Sequence, residues 1–61
     1  MAYKVSLTLA GGERIQRQEI YYIPTPKIGE MVRVNAGNRW TRAEVKHVAP
    51  AAVDQVDAEE V

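Results

Sequence analysis

The chain carries one histidine, His47, one serine, Ser6, and no cysteine. Nucleophilic catalysis needs the nucleophile and its base within hydrogen-bond reach, and no motif links Ser6 to His47, each of which falls on an expected strand. A metal centre needs three or four converging ligands, which one histidine and scattered glutamates do not supply. Glu59 and Glu60 are paired in sequence alone, and a loose terminus cannot hold the separation that acid–base chemistry demands. Gly11-Gly12 is explained by a hairpin turn and not by a phosphate loop. The reading is a non-enzyme with no catalytic residue, no metal and no cofactor.

The residues that could bind are basic and aromatic. Arg33, Arg39, Arg42 and Lys46 fall on two neighbouring expected strands, and with Tyr21 they make the candidate binding face. One reading is a cationic surface for phosphates, with a log–log salt slope of about −3 for three or four contacts. The other is a solvated sheet face, partly neutralised by Glu30 and Glu44. If Tyr22 is buried, Tyr21 faces out beside Pro24-Thr25-Pro26, either as a platform for a peptide or a base or as a cover for the sheet edge. Trp40 is expected in the core, because the chain has few other large side chains to fill its centre.

Length and composition bound these readings. Sixty-one residues allow one domain, and a chain of this size hides only about 60 % of the surface its unfolded form exposes. The absence of cysteine removes disulfides, thiol catalysis and thiolate metal sites, and fits a reducing compartment. Residues 1–9 alternate and do not form a signal-like apolar run, and nothing approaches the ~20 apolar residues of a membrane helix. The expectation is a cytoplasmic protein with no membrane contact. The net charge is zero, but all eight Lys and Arg lie within residues 1–48 while four of the eight acids lie in 49–61. The body therefore carries +4 and the last thirteen residues −4. That acidic tail either folds back onto the basic face, competing with a polyanion, or solubilises the terminus.

The elements follow from period. Tyr3, Val5, Leu7 and Leu9 alternate with Lys4, Ser6 and Thr8, which predicts a strand over 3–10. A three-residue loop, Gly11-Gly12-Glu13, pairs Leu9 with Ile15 and keeps both on one face. The second strand, 14–23, needs one bulge within 16–19 for Ile15, Ile20 and Tyr22 all to face inward, and this pairs Val5 with Ile20 and Tyr3 with Tyr22. Residues 23–30 form a proline-containing loop. A third strand, Met31–Asn35, turns at Ala36-Gly37-Asn38 into a fourth, Trp40–Val48, with Val34 opposite Trp40 and a bulge near Thr41-Arg42 that brings Ala43 to Val32. The predicted core is Val5, Leu7, Leu9, Ile15, Ile20, Tyr22, Ile28, Val32, Val34, Trp40, Ala43, Val45 and Val48. Beyond Ala49-Pro50 the acids favour disorder, although Val53 and Val56 leave room for a short strand near 51–56.

Four or five short strands without a secure helix indicate an all-β small barrel or sandwich. The stretch Gly29-Glu30-Met31-Val32-Arg33-Val34-Asn35-Ala36-Gly37 resembles the opening of a KOW-type Src-homology-3-like barrel, in which an acid follows a glycine and two valines alternate before a second glycine. The resemblance implies a small antiparallel barrel that contacts RNA or protein, although Arg42 and Ala43 stand where its later glycines are expected. Ile23-Pro24, Ile28-Gly29-Glu30 and Val45-Lys46-His47 are also similar to a group of short bacterial and phage proteins, a likeness that carries no activity.

The strand pattern together with that resemblance implies a four- to five-stranded antiparallel Src-homology-3-like barrel over 1–49 with a flexible acidic C-terminal tail, 50–61. Its expected role is a non-catalytic interaction module for protein or nucleic acid. The alternative is an assembly subunit that self-associates through an edge strand.

Overall fold

The computed structural model describes residues 2–61. It contains five strands, β1 (Tyr3–Thr8), β2 (Arg14–Gln16), β3 (Met31–Asn35), β4 (Trp40–Ala49) and β5 (Asp54–Glu60), and the described residues form no helix. None is therefore long and apolar enough to cross a membrane. The strands form one sheet in the order β2-β1-β5-β4-β3.

Two features correct the expected architecture. The sheet is open, with β2 and β3 at its edges, and it is mixed, because β5 runs parallel to β1 while every other pair is antiparallel. The long connection from β2 to β3 causes this. It carries the chain from one edge to the other, so that β3 and β4 build inward and β5 enters the gap beside β1. Thr25 in that connection donates a hydrogen bond to Asp54 Oδ2 at 2.7 Å, tying the crossing to the start of β5.

A further correction concerns residues 50–61. The expected flexible acidic tail is instead the central strand of the sheet, flanked by β1 and β4 over most of its length. Val56 and Ala58 point into the core while Asp57 and Glu59 point to the opposite face. The two acids that share the inward-facing side are each held. Asp54 accepts from the Ala51 amide (2.9 Å) and from Thr25. Glu60 accepts from the Ala10 amide (3.0 Å), Arg39 (2.9 Å) and Thr41 (2.6 Å).

Tyr3, Val5, Leu7, Val34, Ala43, Val45, Val56 and Ala58 form the buried core, with Leu9, Tyr21, Val32, Ala36 and Val48 packed against it. Three residues expected there are exposed, namely Tyr22, Ile28 and Trp40. Parity accounts for Tyr22 and Trp40. Leu7, not Leu9, lies opposite Ile15, a shift of two residues that leaves Ile15 on the expected face. Arg17 then bonds to Val5 and Tyr21 bridges Tyr3, so residues 18–20 span the single residue Lys4. Two extra residues, not one, leave Tyr21 inward and turn Tyr22 outward. In the β3–β4 ladder no bulge follows Trp40. Asn35 lies opposite Trp40 and Val32 opposite Ala43, so Thr41, Ala43 and Val45 take the inner side. The register shift lies instead in the β4–β5 ladder, between Val45 and His47.

Candidate functional site

Of the five residues singled out in the sequence, the fold brings two together. Arg33 and Arg42 lie directly opposite each other in the β3–β4 hairpin, on the face away from the core. The Arg42 carbonyl accepts from the Val61 amide (3.0 Å), so Arg42 turns its backbone groups toward the β5 side of the ladder. Arg33–Arg42 is therefore a non-hydrogen-bonded cross-strand pair, the kind whose α-carbons lie closest, about 4.5 Å apart. Like charges in that relation repel. Neither guanidinium has an acidic partner within 4.0 Å among the described residues.

Two neighbours complete the patch. Trp40, 55 % exposed, lies one step along β4 from the arginine pair on the same face, and Met31 lies one step along β3 on the other side. The hairpin that fixes them closes through the Ala36 amide to the Arg39 carbonyl (2.7 Å). Gly37 takes φ +104° at the turn, a conformation that costs a glycine little, and the Asn35 side chain accepts from its amide.

The other three residues are employed elsewhere. Arg39 turns to the inner side, where its Nη1 meets Glu60 Oε2 at 2.9 Å. With Thr41 and the Ala10 amide it holds the Glu60 carboxyl down to about 2, well below its ordinary 4.5. The carboxyl thus stays ionised as the joint between β5, the β3–β4 turn and the β1–β2 turn. Lys46, at the register shift, pairs with Glu44 at 3.4 Å. Tyr21 corrects the expected exposed platform. Its ring stacks on Tyr3 (centroids 5.2 Å apart, planes at 29°) and its hydroxyl is buried. Burial pushes the phenol groups of both tyrosines up, Tyr21 further by the negative charge of Glu19.

The outer face also aligns Ser6, Asp57 and His47 in one cross-strand row. Their order sets them apart from a nucleophile–base–orienter relay, in which the imidazole stands between the hydroxyl and the carboxylate. Here the carboxylate lies in the middle, and two strand spacings put Ser6 about 9–10 Å from His47. Arg14 donates to Ser6 Oγ (3.1 Å) and approaches Asp57 (3.5 Å). Among the described residues no three His, Asp or Glu side chains gather as metal ligands.

The expected basic face is thus a face of alternating charge. Across the strands, Arg14, Thr8, Glu59, Glu44 and Met31 follow one another, so β5 and β4 put two carboxylates in the middle of the row, between a cation on β2 and a thioether on β3. Sequence reasoning missed the acids of β5 because it left them in a tail, and missed Trp40 because it placed a bulge beside it. The outward position of Trp40 was readable only from an unbroken alternation through Thr41, Ala43 and Val45. The chain matches no protein-family model, no curated protein and no solved structure.

Proposed function

We propose that the protein is a non-catalytic interaction module of the cytoplasm that engages another protein through the outer face of its β3–β4 hairpin. The observation that carries this reading is the Arg33–Arg42 pair, which has no carboxylate of the described residues within 4.0 Å and is bordered by exposed Trp40 and Met31. Arginine, tryptophan and methionine are enriched in protein-binding surfaces, where Arg and Trp anchor most of the affinity. The Src-homology-3-like resemblance points the same way as regards role, since its matched residues, 29–37, span this strand and its flanking turns.

Nucleic acid is the weaker partner on the same observations. The chain is neutral overall, Glu44 and Glu59 lie on the face that would track a phosphate backbone, and two free arginines supply little of the counterion release that drives such binding. Trp40 is the single tryptophan, so its emission reports directly on the patch. Titration with single-stranded RNA, duplex DNA and a carboxylate-rich peptide, at low and moderate salt, is expected to change the emission with the peptide alone. The double variant Arg33→Glu, Arg42→Glu is expected to lose that response. Binding of either nucleic acid that depends on both arginines overturns the reading in favour of a phosphate site. A concentration-dependent dimer in light scattering, with no peptide response, overturns it in favour of self-association.

A further inference from the structure

The backbone of β3 adds what side chains alone do not say. β3 is the last strand of the sheet. Val32 and Val34 turn their amides and carbonyls toward β4, because the hydrogen-bonded pairs run Ala36–Arg39, Val34–Thr41, Val32–Ala43. Met31, Arg33 and Asn35 therefore direct theirs off the sheet, and no backbone or side-chain group among the described residues bonds to them. The opposite edge offers less. β2 is three residues long, only Arg14 and Gln16 face outward, and the Arg14 guanidinium is engaged with Ser6 and Asp57.

We infer that the free edge of β3 takes up an extended acidic segment of another protein as a sixth strand, with a carboxylate of that segment beside Arg33 and Arg42. This rests on the reading that the hairpin is the contact surface, and it names the mode and the chemistry of the partner. Strand addition draws affinity from main-chain hydrogen bonds and specificity from alternate side chains. The added strand lies about 4.8 Å from β3, so its outward side chains extend the row that ends in Arg33. A carboxylate there is held by the two guanidinium forks and offsets the repulsion between them. Charge also argues against a second copy of this chain as occupant. Two β3 edges paired about their centre would bring four arginines together with no acid between them, the kind of edge charge that blocks self-pairing. An acidic strand meets no such barrier.

Amide exchange on the full-length, isotopically labelled chain tests the proposal, with a capped nine-residue peptide alternating valine and glutamate as probe. On saturation the Met31, Arg33 and Asn35 amides are expected to slow at least tenfold, while those of Val32 and Val34, already bonded to β4, change little. The same peptide with glutamine for glutamate is expected to bind at least tenfold more weakly, and Arg33→Gln with Arg42→Gln to erase that preference. Perturbation of Trp40 and of the arginine side chains without protection of the edge amides overturns strand addition while sparing the hairpin as a binding surface. Absence of any response to the acidic peptide overturns both. Protection of the edge amides that grows with protein concentration and needs no peptide overturns the inference in favour of self-pairing.

Discussion

Truncation of one side chain, Val56→Ala, separates a central strand from a loose terminus. Val56 is fully buried (0 %) and lies between Val5 of β1 and Val48 of β4. Removing two methyl groups forfeits about 1.6 kcal/mol of transfer free energy. Ladders on both sides of β5 restrain the neighbouring backbones from collapsing into the gap, which adds a cavity cost of about 0.5–1 kcal/mol. The expected loss of about 2–2.5 kcal/mol is a large part of the roughly 3–9 kcal/mol that a domain of this length commands. With an m-value of about 1 kcal/mol per M, the urea midpoint followed by far-UV circular dichroism falls by about 2 M at unchanged slope. The thermal midpoint falls by about 15 °C. Val61→Ala, at an exposed position three residues past the buried Ala58, serves as the control and should stay within about 0.5 kcal/mol. A Val56→Ala midpoint as close to wild type as that of the control would mean that residues 54–60 do not belong to the sheet, and the fold described here would fall with it.

Three other outcomes follow from the same geometry. Because the fold holds Glu60 below its ordinary pKa, the stability it contributes is present above pH 4.5 and is lost as pH falls toward about 2. Urea midpoints of Glu60→Gln should accordingly lie below wild type at neutral pH and converge with it over that window. Gly37→Ala has open space around the new methyl group but must adopt φ +104°, so it should cost about 1 kcal/mol by backbone strain alone in the same urea assay. Arg33→Glu converts a like-charged cross-strand pair into an opposite-charged one and should raise stability by about 0.2–1 kcal/mol, read from the thermal midpoint, while removing the peptide response of Trp40.

What the sequence disclosed and what it hid divide along the range of the interactions. The strand at 3–10, the hairpin 31–48 and the inward valines 32, 34 and 45 were legible, because alternation and Gly37 are local signals. The strand at 54–60 was not. Its residues are mostly acidic or alanine, poor strand formers by composition, and what makes them a strand is a slot between β1 and β4 together with distant groups that receive Asp54 and Glu60. Parity errors had a similar origin. Whether one or two extra residues separate Ile15 from the tyrosines is decided by the Tyr3–Tyr21 stack, a contact across eighteen residues that no local pattern encodes. Of the candidate site, Arg33 and Arg42 followed from the hairpin alone, whereas the roles of Arg39 and Tyr21 depended on partners brought by β5 and β1.

The placement of charge then bears on function. Four of the basic residues find carboxylates within the chain: Arg14 with Asp57, Arg17 with Glu19, Arg39 with Glu60 and Lys46 with Glu44. The exposed pairs among them add little to stability, but the four together show that acids are distributed over the sheet and reach half of the eight cations. Among the described residues Lys4, Lys27, Arg33 and Arg42 have no carboxylate within 4.0 Å, and of these the two arginines face each other. Arg33 and Arg42 stand opposite each other at the closest type of cross-strand position, with Glu44 turned to Lys46, and an acid at either position would favour the folded sheet by the amount Arg33→Glu is expected to restore. Folding therefore gains nothing from the arrangement. In the proposed strand addition, a carboxylate supplied by another chain along the open backbone of β3 would give the arginine pair the partner that the sheet withholds.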